Sequence, residues 1–166
     1  MEPMQIALEE ARAAALRGEV PVGAVVLGPD GTVLARAGNA VEATHDASAH
    51  AELLALRHAA AARGSPRLPD CDLVVTLEPC PMCAQAISFF RIRRLVFGAY
   101  DPKGGGVEHG ARVFDAQSCH HRPEIVGSRT GRNDPWRRLL SFPSGGTLLQ
   151  HCPAHDCLPG QRTALH

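Results

Sequence analysis

A chain of 166 residues with 45% hydrophobic and 20% charged side chains has the make-up of a globular protein, with length for one sizeable core and an appendage. No apolar run approaches the ~20 residues that span a bilayer, so no membrane partner is expected. The formal net charge of zero hides an asymmetry, 12 Lys and Arg against 15 Asp and Glu in residues 1–126 and 5 against 2 in residues 127–166; the larger part is not broadly basic, and any grip on nucleic acid must be local.

Met1-Glu2-Pro3-Met4-Gln5 lacks the basic start and apolar core of a signal peptide, which predicts a cytoplasmic address. In a reducing compartment, six cysteines point to metal binding by a close pair rather than to disulfides, with Cys71 and Cys119 as buried apolar thiols. Met4, Ala7, Leu8, Ala11, Ala14 and Ala15 recur at helical spacing, and Gly18 ends that helix. Val22 to Leu27 reads as a buried strand, Pro29-Asp30-Gly31 as a turn and Thr32 to Ala35 as the returning strand of a hairpin. Ala47 to Arg63 is apolar on nearly every side, predicting a helix between layers with His50 and Glu52 in its first turn. Gly64, Pro66 and Pro69 end it.

Leu73 to Leu77 reads as a central strand, followed by a cysteine turn and a helix to about Arg91. Leu95-Val96-Phe97 is the next strand, Gly104-Gly105-Gly106 a flexible loop, and Pro123 to Val126 a last short strand. That order, five strands alternating with helices after an opening hairpin, predicts an α/β fold: a three-layer α/β/α sandwich on a five-stranded mixed sheet with helices on both faces. Beyond Val126 there is no Lys or Glu, turn formers are frequent, and one short helix is expected around Trp136–Leu140. The expected division is a domain of residues 1–126 and an irregular or loosely docked tail of residues 127–166.

The chemistry centres on His50-Ala51-Glu52 and, after 27 intervening residues, Cys80-Pro81-Met82-Cys83. Two cysteines three positions apart hold one metal ion from the first turn of a helix, whose N-terminus favours thiolate. His50 would be the third ligand, and three protein ligands leave the fourth position of zinc open, as in catalytic sites. Glu52, near the metal but free of it, would move protons. Each part alone has a plainer reading: a lone CxxC is common, and a histidine at a helix start is usually structural. A zinc ribbon would need a second pair, for which Cys152 and Cys157 with His151 and His155 are the nearest candidates. The conjunction is what favours a catalytic zinc, because zinc brings the pKa of water from 15.7 to about 7.

The HAE and PCPMC motifs resemble the zinc-dependent cytidine deaminase superfamily. Glu19-Val20-Pro21-Val22-Gly23-Ala24-Val25 and Arg91-Ile92-Arg93-Arg94-Leu95-Val96-Phe97-Gly98-Ala99 are similar to its bacterial tRNA-specific adenosine deaminase branch. The resemblance, running to about Val126, implies a cytidine-deaminase-like fold and one zinc ion per subunit on His50, Cys80 and Cys83. It implies conversion of adenosine to inosine at the wobble position of a tRNA anticodon, with Glu52 catalytic, by a homodimer whose sites the partner subunit completes. Asn39 would hydrogen-bond the base beside Ala51, and Asp101 would meet a ribose of the anticodon loop. Arg91, Arg93, Arg94 and Lys103 are candidates for phosphate contacts, although two of these arginines could equally be solvated charges before a strand.

The chain departs from the family at Gln85, where a small residue is usual, and at its end, where the family has an aromatic and basic helix. A shifted reading frame or a divergent tail would account for the latter. Two other readings compete: a deaminase of free nucleobases or nucleosides of the guanine or cytosine type, and a zinc-stabilised binding module without catalysis.

Overall fold

The computed structural model describes residues 2–127. The expected tail, its short helix and the His151–Cys157 cluster lie outside the described residues, as does the proposed division into two parts.

Helix α1, Pro3–Leu16, begins with proline at its first turn, where no intrahelical N–H bond is lost. It stops where Gly18 takes φ +81°. Its buried stripe is Ala7, Leu8, Ala11 and Ala14, mostly small residues that let the helix lie close to the sheet. The contact is tight enough that a Cβ at Gly23 would fall on the Ala7 carbonyl oxygen.

Strands β1, Gly23–Leu27, and β2, Val33–Gly38, form the predicted hairpin, with β2 running three residues further than expected. In its turn, Asp30 Oδ1 accepts hydrogen bonds from the N–H and Oγ1 of Thr32 at 3.1 and 2.7 Å. Strands β3, Asp72–Val75, β4, Arg94–Phe97, and β5, Glu124–Val126, complete a five-stranded sheet in the order β2-β1-β3-β4-β5. β1 is antiparallel to β2 and β3, whereas β3, β4 and β5 are parallel, so the sheet is mixed as predicted.

Side-chain alternation sends successive residues to opposite faces. Val25, Leu27 and Val74 pack with Ala7 of α1 on one face. Ala24, Val26, Leu73, Val75, Leu95 and Phe97 pack on the other, beneath α3, Ala51–Arg63, and α4, Pro81–Phe90. Both faces of β1 are covered, which is why it reads as an unbroken apolar run.

Two expectations are corrected in the middle of the chain. The helix predicted from Ala47 starts at Ala51, preceded by a separate short helix α2, Val41–Thr44. His45 takes a left-handed φ of 53°, and Asp46 Oδ1 accepts bonds from the N–H and Oγ of Ser48 at 2.8 and 2.7 Å. That local turn competes with helix. Nor does α3 lie between layers: Arg57, His58 and Ala61–Arg63 are exposed, so its outer alanines supply helix propensity rather than core. Cys71 is buried as expected, while Cys119 is only half-buried.

Candidate metal and catalytic site

Helices α3 and α4 start at one place, beyond the carboxyl end of β3. His50 is the N-cap of α3 and Cys80 the N-cap of α4, both with extended backbone, and Cys83 lies in the first turn of α4. The two helix N-termini thus converge on three ligand-type side chains.

His50 Nδ1 lies 3.6 Å from Cys80 Sγ and 3.6 Å from Cys83 Sγ, and the three atoms all fall within 4.8 Å of one another. Tetrahedral zinc, with bonds of about 2.0–2.1 Å to nitrogen and 2.3 Å to sulfur, has a nitrogen-to-sulfur edge of about 3.6 Å. The spacing of the donors therefore fits zinc. Only these three side chains make up the ligand cluster among the described residues, which leaves one position of a tetrahedron without a protein atom.

The sulfurs are electrostatically unequal. The hydrogen bond from Cys83 is the largest influence on Cys80; against the opposing effect of burial, it and the His50 ring hold that thiol down to about 4. Cys83 is pushed up, first as the donor to Cys80 and then by burial. His50 is raised, chiefly by its hydrogen bond with Cys80. A divalent cation displaces the protons these groups hold when it binds.

Glu52 follows in the first turn of α3 and is 3% exposed. Burial, ahead of the nearby Cys80 sulfur, pushes its carboxyl up to about 7. Its Oε2 is the one buried side-chain N or O atom among the described residues that has no hydrogen-bond partner. Buried polar atoms are seldom left so. Beside a three-ligand metal cluster, an unpartnered carboxyl oxygen that titrates near neutrality is equipped to take and return a proton.

Asn39, at the end of β2, is 5% exposed and its Oδ1 accepts the Ala51 N–H at 2.9 Å. The side chain thereby caps α3 from outside the helix, and that bond fixes its orientation. Ala51 is fully buried and its N–H is taken, so its part is to orient Asn39. Asp101 follows β4 in a turn where its Oδ1 accepts the N–H groups of Lys103 and Gly104 at 3.1 and 2.9 Å. Lys103 is exposed in that same turn.

Arg91 and Arg94 are placed elsewhere. Arg91 is the C-cap of α4, about 15 Å along a ten-residue helix from the cysteine end. Arg94 opens β4, in register with Asp72 at the opposite end of the sheet. It pairs with Glu124 at 2.9 Å and Asp72 at 3.7 Å, and Arg93 binds Asp72 through two hydrogen bonds of 2.8 and 3.0 Å. Surface ion pairing, rather than a site on the same chain, accounts for Arg93 and Arg94.

Sequence reasoning missed two buried carboxylates. Glu19, in the EVPVGAV segment, accepts the N–H groups of Glu42 and Ala43 at 3.2 and 2.9 Å, holding the stretch between Asn39 and His50. Glu78 lies two residues before Cys80 and binds the loop after Asp101. Burial alone would raise Glu78, but the backbone N–H groups of His109, Asp101 and Glu108 outweigh it and keep the carboxyl below its usual range. The expected flexible triglycine is a packed loop instead. A Cβ at Gly105 would sit 2.6 Å from Glu78 Cδ, and one at Gly106 would sit 2.5 Å from Pro81 N. A carboxylate placed directly before the PCPMC motif was the available signal for Glu78.

The family model for the cytidine and deoxycytidylate deaminase zinc-binding region matches residues 1–99. A tRNA-specific adenosine deaminase of Agrobacterium fabrum is 57% identical over 122 residues, covering 74% of this chain and 80% of that protein. A solved chain from a study of A-to-I editing by tRNA:A34 deaminases at the wobble position of transfer RNA superposes with TM-score 0.74 at 55% identity, covering 75% of this chain and 90% of that one. A guanine deaminase from Nitrosomonas europaea is more distant, with TM-score 0.64 and 25% identity over 75% of this chain and 74% of that one. The three-ligand cluster, the free carboxyl beside it and these likenesses agree: the chain belongs to the tRNA-specific adenosine deaminases, a family of zinc-dependent enzymes within the cytidine and deoxycytidylate deaminase group.

Proposed function

We propose that this chain deaminates adenosine to inosine at the wobble position of a tRNA anticodon loop, releasing ammonia. The observation that carries the chemistry is the unpartnered Oε2 of Glu52 beside the cluster of His50, Cys80 and Cys83. The tRNA substrate is carried over from the relatives.

Zinc, held by those three residues, supplies the Lewis acidity that makes water a nucleophile at neutral pH. Glu52 takes one proton from the water that adds to C6 of the adenine and gives it to the ring nitrogen N1, then takes the hydroxyl proton of the adduct and gives it to the amine, which departs as ammonia as the C6 carbonyl forms. Oxygen enters as nitrogen leaves, with no net redox change. The Nδ2 amide of Asn39 holds the base edge while α3 fixes its Oδ1. Asp101 meets a ribose of the anticodon loop, and Lys103, exposed in the same turn, meets a phosphate. An anticodon-loop nucleotide is already unstacked, so bringing it into the site costs little.

The protein works as a homodimer in the cytoplasm. Support for the dimer comes from α4, where Met82 and Phe89, two helical turns apart on one face, are 39% and 58% exposed. No helix among the described residues is long and apolar enough to cross a membrane.

The test is nucleoside mass spectrometry of an anticodon stem-loop after incubation with the zinc-loaded protein, beside ammonia release from free guanine and cytosine. Inosine at the wobble position, formed more slowly as salt rises, supports the reading. Ammonia from free bases with an unchanged stem-loop would favour the nucleobase deaminase instead, and RNA binding with no product would favour a non-catalytic module.

A further inference from the structure

Glu78 is 2% exposed, and its two carboxylate oxygens collect five polar contacts. Oε1 accepts the backbone N–H groups of Val107, Glu108 and His109 at 3.3, 2.8 and 2.9 Å. Oε2 accepts the Asp101 N–H at 3.0 Å and pairs with His109 Nδ1 at 2.8 Å. None of these partners is a metal ligand. The Glu78 N–H also binds the Ala99 carbonyl at 2.8 Å, so backbone and side chain grip the same loop from both sides.

That loop is shaped around one oxygen. Asp101 Oδ1 is engaged by Lys103 and Gly104. At Gly104 a Cβ would stand 2.8 Å from Asp101 Oδ2, so any side chain there would crowd that oxygen. The Asp101 backbone hangs from Glu78, and its side chain is turned by its own local bonds.

We propose that Glu78 is a positioning residue for the substrate: its buried carboxylate anchors the Asp101 backbone so that Asp101 Oδ2 is presented to a ribose hydroxyl of the RNA, a role that rests on the tRNA reading above. Glu78→Gln is the informative change. The amide carbonyl can keep the three N–H groups that bind Oε1, and its NH2 can donate to the His109 ring, but the Asp101 N–H then faces a donor and loses its partner. A buried donor without a partner is costly, and the cost falls on Asp101 rather than on the zinc ligands.

The experiment measures KM and kcat for an anticodon stem-loop, stem-loop affinity by fluorescence anisotropy, and zinc content, in the full chain. The variants are Glu78→Gln, Asp101→Ala and the two combined. We expect KM and Kd to rise about tenfold in Glu78→Gln, with kcat changed by less than about twofold and zinc content as in wild type. The combined variant should be no worse than Asp101→Ala alone, because both act through one contact. Multiplying effects, or a loss of kcat and zinc at unchanged KM, would overturn the proposal. If Glu78→Gln fails to fold, Gly104→Ala takes its place, since the added methyl crowds Oδ2 without touching the Glu78 contacts; an unchanged KM there means Glu78 has nothing to position. A wild-type protein inert on the stem-loop but active on free bases would overturn the tRNA reading itself, and this role with it.

Discussion

Changing Asn39 to Ala, and separately to Asp, separates its hydrogen bond to α3 from the proposed contact with the base. Its Oδ1 accepts the Ala51 N–H at 2.9 Å in a setting where Asn39 is 5% exposed. Asn39→Ala leaves that first helical N–H buried without a partner. Such a loss costs about 1–3 kcal/mol, and loss of a helix cap costs about 1 kcal/mol; these describe the same bond, so about 2 kcal/mol is the expected total. For a domain of this size that lowers Tm by roughly 8 °C. Asn39→Asp keeps an oxygen for the Ala51 N–H, and its charge sits at a helix N-terminus that favours it. Its Tm should stay within about 2 °C of wild type. It nevertheless replaces the Nδ2 donor by an acceptor, and sites built to hydrogen-bond a substrate group reject the wrong partner strongly, so kcat/KM should fall at least about 100-fold. Scanning calorimetry and stem-loop deamination measure the two effects. An active Asn39→Asp, or an Asn39→Ala that melts with wild type, would refute the assignment of one oxygen to α3 and one amide to the base.

Other expectations concern the metal, the packed loop and the displaced arginines. Glu52→Ala should retain one zinc per chain by metal analysis while losing about 10²–10⁴ in turnover; normal turnover would remove Glu52 from the reaction. Cys83→Ser should lose the zinc as well as activity, and melt lower than zinc-loaded wild type, because metal affinity is folding free energy. Gly106→Ala forces a Cβ to within 2.5 Å of Pro81 N and 2.8 Å of Cys80 C, both backbone atoms that cannot swing away. It should lower stability by more than about 2 kcal/mol in denaturant titration, and wild-type stability would mean the loop is as free as its sequence suggests. Arg94→Ala breaks half-exposed ion pairs with Glu124 and Asp72, which are worth less than about 1 kcal/mol, and should leave the stem-loop KM within about twofold; a larger rise would return Arg94 to the RNA contacts.

The sheet and the metal cluster were legible because their causes are local. An apolar run at Val22–Leu27 and a continuous β-prone run at Leu73–Leu77 announce covered strands, and a cysteine pair at helical spacing after a strand announces a ligand turn. Helix α3 was misplaced by four residues because the Asp46–Ser48 turn is a side-chain competition that hydrophobic periodicity does not register. The glycine triplet misled for a related reason. Glycine marks both flexibility and close packing, and only the approach of Pro81 and Glu78 decides which. Arg91 and Arg94 stand near the cysteines in sequence but a full helix away in space, since α4 reverses the chain between them. Glu78 and Glu19 work through backbone N–H groups more than twenty residues away, and no single-sequence pattern records such partners.

The central claim is a zinc ion held by one imidazole and two sulfurs, with Glu52 beside it and not bound to it. X-ray absorption at the zinc edge of the purified full-length protein tests this most directly. One zinc per chain with two sulfur neighbours and one imidazole, unchanged in Glu52→Ala, is the predicted result. A third sulfur, a second imidazole or a spectrum altered by Glu52→Ala would show a site closed by protein, and would contradict the catalytic reading.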